Sequence, residues 1–272
     1  MDAGAKQTVA RGPDGRFRVV AEERAGERAI VLQDTVDLAE AVLVPGLGFA
    51  CIGFRVTTRQ GAWQVLAEPP DDTALRQQAT RYGIPILFPW PNRVKDGHFS
   101  FGGQEYQLPR SPGQQHASHG YARLWPWTVQ QIGADEDRAF CRASVTLGQH
   151  DGDAWPFPTH LIVEYSLSGE ARGSKLSLRA EATNIGSQMM PMGFGLHPWF
   201  PLPLGPDGDR DACEIRVPAN AFWELDELIA TGERKPIEQA FDARSWRPLA
   251  EAHLDDVYTE YFHREEAPRV AA

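Results

Sequence analysis

Long apolar runs are missing from this chain. None approaches the ~20 residues that a membrane-spanning helix requires, so no helical bilayer crossing is expected. Cysteine is scarce. Cys51, Cys141 and Cys213 are far apart and form no CxxC pair, which argues against a disulfide framework and for reduced, mostly buried thiols of a cytoplasmic protein. HxH and HExxH spacings are absent, so no metal is expected. Positive charge is in deficit, with 27 Lys+Arg against 37 Asp+Glu and a formal net charge of -10. An acidic surface disfavours nucleic acid and anionic membranes as partners. The stretch from Met1 to Asp14 has no apolar core of the kind a secretory signal carries. No internal repeat or low-complexity linker is visible.

What is present is punctuation. The chain carries 25 glycines and 21 prolines among 272 residues, a density that favours short strands over long helices. Between these breaks the apolar residues alternate. Leu161, Val163, Tyr165 and Leu167 share one face of a strand, and Leu176, Leu178, Ala180 and Ala182 share a face of the next. Phe99–Phe101, Gly102-Gly103 and Tyr106–Leu108 read as strand, tight turn, strand. Trp127–Ile132, a polar turn over 133–137 and Ala139–Leu147 read as a second, longer hairpin. The pattern predicts an all-β protein built as a large antiparallel β-sandwich. Short helices are expected over Asp72–Tyr82, capped by Asp71 or Asp72, and over Trp223–Ile229. Residues 15–263 read as a single domain, with 1–14 and 264–272 as frayed ends.

The chemistry-bearing residues sit where strands are interrupted. His119 opens His119-Gly120-Tyr121-Ala122-Arg123-Leu124-Trp125-Pro126-Trp127, and His197 lies in Gly193-Phe194-Gly195-Leu196-His197-Pro198-Trp199-Phe200, about 80 residues later. Imidazoles move protons near neutral pH, and flat aromatic faces cover the C–H side of a sugar. Glycine before His197 and proline after it aim one side chain. A lone loop histidine is otherwise structural or exposed, and His98, His150, His160, His253 and His263 have no comparable context. The rigid passage Pro85–Pro91 delivers Asn92 and Arg93. On its own Arg93 reads either as a donor to sugar hydroxyls or as a buried tie to backbone carbonyls. Trp199 reads as a sugar platform or as core. Asp255, in Leu254-Asp255-Asp256-Val257-Tyr258, reads as a hydroxyl acceptor or as part of an exposed loop.

Taken in order, Pro89–Arg93, Phe99–Leu108, His119–Trp127, Gly195–Phe200 and Leu254–Tyr258 resemble the aldose 1-epimerase family, the galactose mutarotases and their relatives. The resemblance implies a galactose mutarotase-like β-sandwich that needs no cofactor and interconverts the α and β anomers of a free hexose. By position it implies that His197 is the acid at the ring oxygen and that His119 holds or polarises that oxygen. Arg93 would bind the sugar and Asp255 would accept from its hydroxyls; Asn92, delivered beside Arg93, and Trp199, two residues after His197, are substrate-binding candidates from their sequence context alone. The family's base is a C-terminal glutamate followed by closing strands, and no segment before Ala272 resembles either. Glu260, Glu265 and Glu266 lie in a different context.

Three other readings remain open from sequence. One is an epimerase of hexose 6-phosphates, for which Arg81, Lys95 and Arg123 are the cationic candidates. The second is a sugar-binding protein without turnover, and the third a β-sandwich without a ligand.

Overall fold

Six antiparallel strands form from the alternating stretches of the first 64 residues: β1 (Gln7–Arg11), β2 (Phe17–Arg24), β3 (Glu27–Asp34), β4 (Ala39–Val44), β5 (Ala50–Thr58) and β6 (Gly61–Gln64). Each pairs with its sequence neighbour in one meander. The computed structural model describes residues 6–59, 61–111, 113–148, 155–171, 173–203, 205, 208–252 and 254–262. They group into two compact units, Met1–Pro201 and Leu202–Ala272.

In the first unit the middle of β3 is buried on both faces, so Ala29–Leu32 is a continuous apolar run. Ile30 and Leu32 point to one side with Phe17, Val19 and Leu43. Val31 points to the other with Val20, Val42, Val44 and Ile52, where Leu75 of the helix α1 (Asp72–Gln78) covers it. Asp71 caps α1 by accepting from the Ala74 amide at 2.8 Å, which satisfies one of the amides a helix start leaves free. A 3-10 turn follows over Ala79–Arg81.

The chain then runs through short pieces: β7 (Ile86–Leu87), β8 (Arg93–Val94), β9 (His98–Phe101), β10 (Gln104–Gln107) and β11 (Ala117–Ser118). β9 and β10 form the hairpin expected around Gly102-Gly103. A second sheet has the order β12 (Thr128–Ala134), β13 (Arg138–Leu147), β14 (Thr159–Glu170) and β15 (Gly173–Asn184). Leu161, Val163, Tyr165 and Leu167 of β14 are all fully buried, as their alternation required. They share one core with the inward face of the first sheet. The result is a sandwich of two antiparallel sheets. Asp34 is 1% exposed, and its carboxylate accepts from Arg16 at 3.1 and 2.8 Å and from Ser174 at 3.2 Å. A buried carboxylate bonded in this way ties β3 to β15 without an unpaired charge. β16 (Gly195–Leu196) closes this unit.

The second unit holds β17 (Glu214–Ile215), β18 (Ala219–Asp226), β19 (Ile229–Pro236), β20 (Arg247–Pro248) and β21 (Val257–Tyr261). β18 lies between β19 and β21, so Trp223 faces Arg234 on one side and Val257 on the other. The helix expected over Trp223–Ile229 is therefore corrected to a hairpin. Glu227 and Leu228 form its two-residue turn with φ of 48° and 67°, the handedness such turns need. Partners on both sides satisfy the backbone of β18, which no local signal announced. At the N-terminus, Gln7–Arg11 is a paired strand rather than frayed chain. Residues 264–272 lie outside the described residues. Among the described residues no helix is long and apolar enough to cross a membrane.

Candidate active site

The proline-rich passage is the spine of the site, and both histidine segments are stitched to it by backbone hydrogen bonds. From one side, β11 pairs with β8 so that Ser118 faces Arg93. The His119 amide then donates to the Asn92 carbonyl at 2.8 Å, and the Tyr121 and Ala122 amides donate to the Phe88 carbonyl at 2.9 and 3.1 Å. From the other side, β16 pairs with β7 so that Gly195 faces Leu87. The Gly193, His197 and Trp199 amides donate to the carbonyls of Pro89, Pro85 and Gly83 at 2.7, 3.1 and 2.8 Å. Prolines lack an amide but keep the carbonyl, so this passage accepts from its two neighbours. Glycine is required at one point. Gly120 has φ +61°, and a Cβ there would collide with the Phe88 carbonyl. Asn92, just before β8, and His119, just after β11, take left-handed angles themselves, with φ of 55° and 64°, a region where asparagine and histidine are found more often than most residues.

This stitching brings His119 and His197 together. Their ring centroids are 5.6 Å apart and the planes meet at 79°, edge to face. Nδ1 of His119 is buried without a hydrogen-bond partner, which leaves Nε2 as the nitrogen able to reach a ligand. Burial, then the positive charges of Arg123, His197 and Arg93, hold the His119 imidazole down to about 4. His119 is therefore neutral at pH 7. Arg93 donates from Nη1 to the Asn92 side-chain oxygen at 3.1 Å, so these two residues form a pair beside His119. Arg123 donates from Nη2 to the Ser118 carbonyl at 3.1 Å, and its Nε is buried without a partner. Among the described residues neither Arg93 nor Arg123 makes an ion pair. Trp199 stacks on His197, with centroids 5.0 Å apart and planes at 29°.

Asp255 belongs to the second unit, where it is exposed in the stretch before β21. Glu260 is in β21 and its carboxylate accepts from Arg234 at 2.7 Å. Glu265 and Glu266 lie outside the described residues. Arg81 and Lys95 are exposed, and neither is among the charges acting on His119. His98 pairs with Glu105 at 2.9 Å, and His160 shares a hydrogen bond with Thr146 at 3.0 Å. His150, His253 and His263 lie outside the described residues. Among the described residues no three His, Cys, Asp or Glu side chains form a metal-binding group. Cys51 and Cys141 are buried free thiols, each pushed up to about 12 by burial. A surface depression lined by Asp96, Gln107, Leu108 and Arg110 lies beside the β9–β10 hairpin, apart from the paired histidines. The effect of Arg123 on His119 was not read from sequence. Its signal is the position four residues after His119 within a turn led by glycine.

The family profile described as aldose 1-epimerase matches residues 40–269. Among curated proteins, the chain is 29% identical to the Escherichia coli protein YihR over 194 residues, 70% of this chain and 55% of that protein. It is 32% identical to mouse galactose mutarotase over 177 residues, 63% of this chain and 47% of that protein. The chain thus spans about half the length of the curated relatives it matches. Among solved structures, a galactose mutarotase-like protein from Clostridium acetobutylicum aligns with a TM-score of 0.72 at 23% identity, over 81% of this chain and 65% of that one. Galactose 1-epimerase from Lactobacillus acidophilus aligns with a TM-score of 0.65 at 15% identity, over 90% and 67%. At these identities the structural likeness shows the fold.

Proposed function

The chain belongs to the aldose 1-epimerase family, and on that premise we propose that it interconverts the α and β anomers of a free hexose by acid–base ring opening. The observation that carries this reading is the edge-to-face pair of His119 and His197, 5.6 Å apart. Two proton-handling groups at this separation can bear on one small ligand. In the proposed reaction a water molecule acting as base takes the anomeric hydroxyl proton while His197 gives a proton to the ring oxygen. The C1–O5 bond breaks and C1 becomes an aldehyde. Rotation about C1–C2 presents its other face. The ring oxygen then attacks that face, returning its proton to His197 while C1–O⁻ regains one from the base. His119, neutral at pH 7, has one N–H to donate and orients the ring oxygen without competing for its proton. Arg93, paired to Asn92, binds hydroxyls, and Asp255 is assigned to hydroxyl binding from the resemblance alone.

His197→Asn tests the assignment. The variant should lower kcat by about 10²–10⁴-fold with little loss of sugar binding, because the proton is needed mainly in the transition state. A raised KM with unchanged kcat would contradict it.

A second reading, an epimerase of hexose 6-phosphates, is favoured by one observation. Arg93 and Arg123 both act on His119, and guanidinium groups without carboxylate partners suit a phosphate dianion. Polarimetry on α-D-glucose and its 6-phosphate side by side separates the two by the larger kcat/KM.

A further inference from the structure

We propose that Trp199 is the positioning residue of this site: its indole face sets the plane of the His197 imidazole, instead of serving as a platform for the sugar. The proposal rests on the reading of His197 as the proton donor. An imidazole that transfers protons is usually oriented by a hydrogen bond to its second nitrogen, often from a carboxylate or a backbone carbonyl. Among the described residues no side-chain hydrogen bond of that kind holds His197. Its ring is instead packed between two others. One face lies on the Trp199 indole at 5.0 Å and 29°, and the edge of the pair with His119 lies at 5.6 Å. The torsion about Cβ–Cγ of an imidazole is broad and roughly two-fold, so without such packing the ring would turn.

The indole is itself fixed from a distance. Nε1 of Trp199 donates to the Thr80 carbonyl at 3.2 Å. That carbonyl belongs to the 3-10 turn that continues α1. The Trp199 amide donates to Gly83 at 2.8 Å, and its carbonyl accepts from the Ala67 amide at 2.8 Å. Backbone and ring are thus tied to three points of the 67–83 segment. A sugar platform needs a free face and gains from adjusting to its ligand. This indole is 37% exposed, but its donor is occupied and one face lies on the histidine, so it is held in place and not free to adjust.

The test uses the full chain with Trp199→Leu, which stays apolar but is smaller and has no flat face, and Trp199→Phe, which keeps an aromatic face but loses the N–H. His197→Asn serves as the reference. Trp199→Leu should lower kcat by about 10²-fold, the cost of a misplaced reacting group, and Trp199→Phe should recover it to within about threefold. Proton NMR of the His197 ring gives a readout independent of turnover. Its Cε1–H resonance, shifted upfield by the stacked indole, should move downfield in Trp199→Leu and stay near its place in Trp199→Phe. Unchanged kcat in Trp199→Leu with a raised KM would overturn the proposal in favour of a platform. Equal loss of kcat in both variants would overturn it in favour of the Thr80 hydrogen bond alone. If His197→Asn itself leaves kcat unchanged, the reading of the site fails, and the NMR shifts still decide whether Trp199 orients the ring.

Discussion

His119 carries two properties that only its surroundings confer. It is partly buried, and it faces positive charge from Arg123, His197 and Arg93, so its imidazole titrates near 4 instead of at the ordinary 6.5. Between these two values the unfolded chain binds a proton that the folded chain does not. Stability is therefore highest above about pH 6.5 and falls as pH drops toward 4 through this residue. In His119→Gln this contribution disappears, and the denaturation midpoint should fall less steeply from pH 7 to pH 4 than in the parent. A parallel fall in both would contradict the buried, neutral assignment. Arg123→Met removes the largest nearby positive charge, so the His119 titration followed by NMR should move upward. No movement would mean that Arg123 does not contribute to it.

At the scale of elements, the histidine segments depend on two-residue strands stitched to the 83–93 passage. Gly120 is the tightest stitch, with φ +61° and no room for a Cβ against the Phe88 carbonyl. Gly120→Ala should destabilise by more than about 1 kcal/mol, since alanine at positive φ is strained even without the collision. A denaturation midpoint equal to the parent's would show that this junction is loose. Asp71→Ala should cost about 1 kcal/mol through the lost cap of α1, without contact with either histidine. These elements differ in how far the sequence displays them. The β9–β10 hairpin is announced by Gly102-Gly103, β14 by strict alternation, and α1 by an acidic cap before an apolar face. β7, β8, β11 and β16 are too short to show any period, and only tertiary pairing makes them strands. β18 was misread because Glu227 and Leu228 turn the chain at positive φ without the glycine or asparagine that normally marks such a turn. The glycine and aromatic context singles out the two histidines, while their closeness comes from the pairing of β11 with β8 and of β16 with β7. The link from Trp199 to Thr80 was not, because it joins residues 119 positions apart.

Over the whole molecule, the fold is that of the aldose 1-epimerase family. Sugars already mutarotate slowly in water, so one well-placed acid, contributing about 10²–10⁴-fold, is enough to be seen above that background. The most direct measurement is polarimetry on freshly dissolved α-D-glucose and α-D-galactose, with the parent chain, with His197→Asn, and with buffer alone. The proposed function predicts that the parent speeds the approach to the equilibrium rotation for at least one of the two sugars, and that His197→Asn returns the rate to within about tenfold of buffer. An approach to equilibrium equally fast with the parent, the variant and buffer would contradict it.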